Sequence, residues 1–217
     1  MLTRRRLLHS FGALGVALLL APIACAGLPL VCHPFQTGDA KLLPWSAPAG
    51  RFTVDPYYDT DRLMLDTLHL LGPDTPIFAR MENLRRAATY ATINRHSAND
   101  LLKALLDRTL AHPRDPRAAA LAWFDAGYLV ESYRQHGLTQ EIDLLDRFDT
   151  AHPGLRSSLG ALNGYVLVQK AIAVTHAPEM EYAASLMTQD SVASARHRAN
   201  AAAEAKEGSL LALNLEN

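Results

Sequence analysis

The sequence predicts an all-α protein: αα-hairpins of about 40 residues, stacked side by side as a short right-handed solenoid or a compact helical bundle. Three observations carry this. Ala and Leu recur throughout while β-branched residues are scarce, a balance that favours helix over strand. Apolar residues step by three and four, the spacing of one helical face. Finally, "LLDRTLAHP" ending at Pro113 returns as "LLDRFDTAHP" ending at Pro153, 40 residues later. A chain of 217 residues with 49% hydrophobic and 20% charged residues has enough apolar surface for one such domain.

Residues 1–26 are expected to be a signal peptide. They combine a basic start, an apolar run from Phe11 to Leu20 and the cleavage pattern Ala24-Cys25-Ala26, which places the mature start at Gly27. Thr3-Arg4-Arg5-Arg6-Leu7-Leu8 resembles a twin-arginine export motif, with an ordinary Sec signal as the alternative. Export places the protein in the periplasm of a bacterial cell envelope. Two other fates are lipidation of Cys25, or an uncleaved inner-membrane anchor whose apolar run continues to Val31.

Cleavage takes three arginines and no acid from a formal net charge of −1, leaving about −4. With no basic stripe interleaved with aromatics, nucleic acid is excluded as a partner. Cleavage also leaves Cys32 as a lone thiol, so no disulfide framework is expected.

Residues 27–59 read as an extended segment rich in Pro and small residues, packed on the body by Trp45 and Phe52. The helical-repeat domain spans 60–207. Thr60 or Asp61 caps a first short helix that ends at Gly72-Pro73. The first hairpin covers 77–112. Ile77, Met81, Leu84, Ala88 and Ala91 line one helix, and a second begins at an N-cap Ser97, carries Leu101, Leu102, Leu105, Leu106 and Leu110, and closes at His112-Pro113.

The second hairpin covers 116–152. Pro116 starts a long helix presenting Trp123, Gly127, Val130 and Tyr133, Gly137 follows its end, and Thr139 caps a shorter helix with Ile142, Leu145 and Phe148. The third covers 155–189, with Ala161, Tyr165, Val168 and Ile172 on one helix and Pro178 in the first turn of the next. A polar, Ala-rich final helix over 191–207 stops at Gly208, leaving 208–217 as a C-terminal tail. Histidines mark the period: His96, His136 and His176 end the long helices, and His112 and His152 the short ones.

Trp123, Ala126 and Gly127 in W-x-x-A-G spacing, with Pro113 and Pro153 after second helices, resemble the tetratricopeptide-like class of helical repeats over residues 77–189. That resemblance implies a concave surface for a peptide or protein, although the period of that class is about 34 residues.

No G-x-S-x-G elbow, P-loop, dinucleotide fingerprint, paired-Cys metal site or metalloprotease histidine pair is present, so neither a catalytic residue, a metal ligand nor a cofactor is expected. The periodic histidines fit the C-terminal ends of helices, where imidazolium meets the last carbonyls. Arg85-Arg86 and Arg196-His197-Arg198 read as solvated faces. The most polar cluster beside aromatics is "DPYYDTD", whose aspartates suit helix capping. It also marks the expected ligand-facing edge, and the candidate binding residues are Tyr57, Tyr58, Asp59, Asp61, Tyr90, His96 and His136. The expected function is a non-catalytic scaffold that holds a protein partner in the envelope. The alternative is an exported enzyme or small-ligand or metal carrier with a site of dispersed polar residues.

Overall fold

A computed structural model of the chain describes residues 29–32, 34–46, 54–111, 114–138 and 162–216. Its helices are α1 (Pro29–Cys32), α2 (Leu63–Leu70), α3 (Ile77–Ala91), α4 (Arg95–Leu110), α5 (Pro116–Gln135), α6 (Gly164–Thr175), α7 (Pro178–Met187), α8 (Ser191–Ala203) and α9 (Leu210–Glu216), with a 3-10 turn (Thr60–Arg62) leading into α2. Among the described residues there is no β-strand. The fold is all-α, as the composition requires. The helix expected over 139–152, along with Phe52, His112, Pro113, Ala161 and the leader, lies outside the described residues.

Side-chain caps set most of the helix starts. Asp115 accepts from the Arg117 N–H at 2.9 Å and Pro116 takes the first position of α5; Asn163 accepts from Val166 at 3.2 Å to begin α6; Asp190 accepts from both Val192 and Ala193 to begin α8. Each cap satisfies an N–H that the helix itself leaves without a partner. The α4 cap corrects the sequence reading. Asn94, not Ser97, caps it, and the buried Ser97 donates its N–H to the Asn94 side chain at 3.1 Å. His96 therefore sits in the first turn of α4 rather than at the end of a long helix. Its imidazole is on the unfavourable end of the dipole, with Asp100 one turn on at 3.5 Å. His136 and His176 do occupy helix C-caps, and Gly137 follows α5 with φ +73°.

Helix α5 lies against α3 and α4 on one side and α6 and α7 on another. Thirteen of its twenty residues are buried, which explains why it reads as apolar around most of its circumference. Contacts also run between non-consecutive units: α7 reaches α3 directly, with the Phe78 and Tyr182 rings 5.7 Å apart and Phe35 packed on both. The C-terminal segment corrects another expectation. The final helix ends at Ala203, and the supposed tail forms α9, which packs on α7 and α8 and accepts the Tyr182 hydroxyl at the Asn214 carbonyl, 2.8 Å away.

The N-terminal segment crosses α3 without forming a ladder, so its backbone needs side-chain partners. Helix α3 supplies them. Asn83 accepts from the Leu43 N–H at 2.8 Å and donates to the Lys41 carbonyl at 3.2 Å; Arg86 donates to the Leu43 carbonyl and Tyr90 to the Pro44 carbonyl. Asn214 of α9 holds Gln36 in the same two-way manner. Trp45 packs edge-on against Tyr90 and under the Arg85 and Arg86 guanidinium groups, as its expected packing role requires. Arg85 is only 1% exposed and pairs with Glu82 at 2.7 Å, so Arg85-Arg86 is not a solvated face. Burial alone would raise the Glu82 carboxyl, but hydrogen bonds and charge from Arg85 and Arg86 hold it below its usual value.

At its start, the segment is helical rather than extended. Leu30 of α1, part of the apolar run of the anchor alternative, is buried in the core and donates its N–H to Gln135. Cys32 is disulfide-bonded in the full-length chain, and the lone thiol is an expectation for the chain cleaved after Ala26.

Candidate functional site

The residues expected at a ligand-facing edge divide into struts and bystanders. Tyr58 packs against Tyr90 with tilted rings and centroids 4.5 Å apart, and donates to Asp66 at 3.1 Å; the Tyr90 hydroxyl also accepts from the Asp55 N–H. Asp59 caps the 3-10 turn and Asp61 accepts from Asn94 at 2.8 Å, so both aspartates serve local structure. His136 meets Thr89 at 3.4 Å, and burial, then the Arg85 charge, lowers its proton affinity. Tyr57 is 94% exposed and His96 stands out in solvent. Tyr58 and Tyr90 touch, and Asp59 and Asp61 lie along the adjoining turn. Among the described residues, no three His, Cys, Asp or Glu side chains are grouped to hold a metal.

A concavity lies instead where α3, α5 and α7 begin and α6 ends. It is an open cleft of about 670 Å³. Ile77, Leu121, Val174 and Met180 give it an apolar lining, and Asp74, Asp115, Glu179 and Arg117 ring it with charge. The three prolines Pro76, Pro116 and Pro178 place the helix starts here: each needs no intrahelical N–H partner. Val174 is 48% exposed, an apolar side chain that the bundle itself does not cover.

Beneath Leu121, which lines both, a second pocket of about 360 Å³ opens between α2, α4 and α5. Its walls are Leu68, Leu71, Ala118, Leu121 and Ala122, and its charged groups are Arg80, Arg108 and Asp125. Arg80 bonds through all three of its guanidinium nitrogens. It donates to Asp125 Oδ2 at 2.6 Å, to the Thr75 carbonyl at 3.1 Å and to the Gly72 carbonyl, so it pins the α2–α3 turn. Asp125 is 2% exposed, and its other oxygen, Oδ1, has no hydrogen-bond partner among the described residues. Burial raises its carboxyl to about 6, with Arg80 and Arg108 pulling back only in part. Among the described residues Arg108 makes one hydrogen bond, to the Leu68 carbonyl at 3.3 Å, and its half-buried guanidinium is held below the usual arginine range by burial, with Asp125 opposing and Arg80 adding.

Sequence reasoning missed all three residues. The available signal was Asp125 itself: it shares a helical face with Leu121 and Tyr128, four before and three after, where a carboxylate has no structural business.

A third polar cluster joins α6, α7 and α8. The Tyr165 hydroxyl lies 2.6 Å from His197 Nε2, His197 Nδ1 bonds Glu181, and Asn200 donates to the same carboxylate. Tyrosine, histidine and carboxylate in line could relay a proton, but both imidazole nitrogens are already engaged, and burial above all raises the Tyr165 phenol. The cluster is a strut between three helices. It also corrects the reading of Arg196-His197-Arg198 as a solvated run, since His197 is buried.

Among the described residues, no helix is long and apolar enough to cross a membrane. No protein-family model, curated protein or solved structure matches this chain.

Proposed function

We propose that this chain is an exported, non-catalytic helical scaffold that docks a protein partner of the cell envelope in the cleft at the α3, α5 and α7 starts. The observation that carries the reading is that cleft: an apolar lining holding the uncovered Val174, rimmed by three carboxylates and Arg117. An apolar centre inside a polar rim is the anatomy of a non-obligate protein interface. The basic, apolar and A-x-A features of the first 26 residues support export, and the absence of every catalytic motif supports a binding role. In this reading the 40-residue period reflects tetratricopeptide-like hairpins. The direct contact of α7 with α3 favours their closing into a compact bundle over an open solenoid.

The test is co-purification from the periplasm of the native host, comparing the unaltered protein with Val174→Glu and Arg117→Glu. The reading expects a near-stoichiometric partner that both variants lose while remaining folded. A partner retained by both, or none recovered from folded protein, overturns it. A second reading, an exported small-ligand carrier, is favoured by the pocket beneath Leu121.

A further inference from the structure

We propose that the pocket between α2, α4 and α5 binds a small aliphatic acid bearing a hydrogen-bond donor beside its carboxylate, that is, an α-amino or α-hydroxy acid. This goes beyond the docking reading and does not depend on it.

Two unmet polar capacities face one apolar space. A guanidinium carries five N–H donors in a planar fork. Arg108 spends one on a 3.3 Å bond to Leu68, which leaves its fork open to a carboxylate. Asp125 supplies the complementary need. Its Oδ2 is taken by Arg80 and its Oδ1 is an acceptor with no donor among the described residues. A buried acceptor left unmet carries its full desolvation penalty, larger for a charged group, so such an atom calls for a donor. Both groups line one small pocket, so one small ligand meets both needs by carrying an anionic group and a donor, and an α-amino or α-hydroxy acid carries the two on adjacent atoms.

The remaining walls, Leu68, Leu71, Ala118, Leu121 and Ala122, suit an aliphatic side chain and offer nothing to a charged one. About 360 Å³ is the low end for a ligand cavity, which selects a small molecule over a peptide. Arg80 explains why the arrangement holds without ligand: its three bonds fix Asp125 against the α2–α3 turn. The Arg80–Asp125 pair as a plain strut accounts for Oδ2 but not for Oδ1 or Arg108. A ligand carboxylate at Arg108 and donor at Asp125 would also relieve the opposed shifts that burial imposes on these two groups.

Isothermal titration of the full chain tests this with four probes of one carbon skeleton. L-leucine and 2-hydroxy-4-methylpentanoate carry both groups, 4-methylpentanoate lacks the donor, and leucinamide lacks the carboxylate. At least one of the first two should bind at least about tenfold more tightly than either control. Leucine ahead assigns an ammonium donor, and the hydroxy acid ahead assigns a hydroxyl. Arg108→Gln should weaken the better ligand at least about tenfold. Ala118→Phe, which places a ring in the pocket and leaves both charged residues in the sequence, should abolish binding while the melting temperature moves little. Probes that bind no better than the controls, or unchanged binding in Arg108→Gln or in Ala118→Phe, would overturn the proposal.

Discussion

Gly127 of α5 and Gly164 of α6 face each other with no room for a methyl group on either. A Cβ on Gly127 would stand 2.6 Å from the Gly164 carbonyl oxygen and 2.8 Å from the Leu167 Cβ. A Cβ on Gly164 would strike the Gly127 carbonyl and lie 2.7 Å from the Glu131 Cγ. The Gly-Tyr pair that recurs 37 residues apart in the sequence is thus the two halves of one close helix crossing. Glu131 closes it by accepting the Gly164 N–H at 3.0 Å.

Gly127→Ala should therefore destabilise the fold. The gain in helix propensity is about 1 kcal/mol, but backbone stands in the way and overpacking costs about 1–3 kcal/mol or more. Gly72→Ala is the control, because its Cβ would meet only Thr75 Oγ1 at an ordinary 3.7 Å. Thermal melts should show a clear loss for the first and little change for the second.

Asp125 makes stability depend on pH in an unusual direction. Its carboxyl is raised from 3.8 to about 6, so between those values the folded chain holds a proton that the unfolded chain has released. Its contribution is present at the acid end of that window and is lost as pH rises through about 6. Glu82, whose carboxyl is lowered, works the opposite way. Denaturant titrations across pH 4 to 7 should show the Asp125 slope in the unaltered protein, and Asp125→Asn should remove it.

The N-terminal strap should loosen when its side-chain partners go. Asn83→Ala leaves the Leu43 N–H and Lys41 carbonyl without their partner, at about 1–3 kcal/mol. Limited proteolysis should then cut within residues 34–46 sooner than in the unaltered protein, while a surface substitution such as Lys103→Ala leaves cleavage unchanged.

Processing of the leader can be read from the cysteines. Cys25 and Cys32 are the two cysteines of the sequence. Cleavage after Ala26 removes Cys25. The export reading therefore expects a periplasmic chain whose intact mass begins at Gly27 and which carries one titratable thiol per chain. A mass that retains residue 25, with no titratable thiol, contradicts it.

Much of the fold was legible because local chemistry and long-range packing agree. Helix α5 could be bounded at Pro116 and Gln135 since Asp115-Pro116 and Gly137 are start and stop signals that no neighbour overrides. The apolar spacing located helix α3, but the helix ends at Ala91 and not at His96, and its Arg85-Arg86 run read as a solvated face. Glu82, Asn83 and Arg85 are buried, and with the partly buried Arg86 they serve a strap about 40 residues earlier in sequence, a partner that no local pattern encodes. The site was less legible for the same reason. Tyr58, Asp59 and Asp61 cluster in sequence and were conspicuous, whereas Arg80, Arg108 and Asp125 come from three helices and meet only after folding. Asn94 displaced Ser97 as a cap because a side chain three residues before the receiving N–H has the right reach, and both positions offered a capping residue type.

The central claim is that the cleft at the start of α3, α5 and α7 receives a protein partner. Its most direct test is site-specific photo-crosslinking in intact cells, with the photoreactive residue at Val174 in the cleft or at the 76% exposed Val192 of α8. A single discrete adduct from Val174 and none from Val192 is the expected result. Equal adducts from both positions, or no adduct from Val174 in folded, exported protein, would contradict the claim.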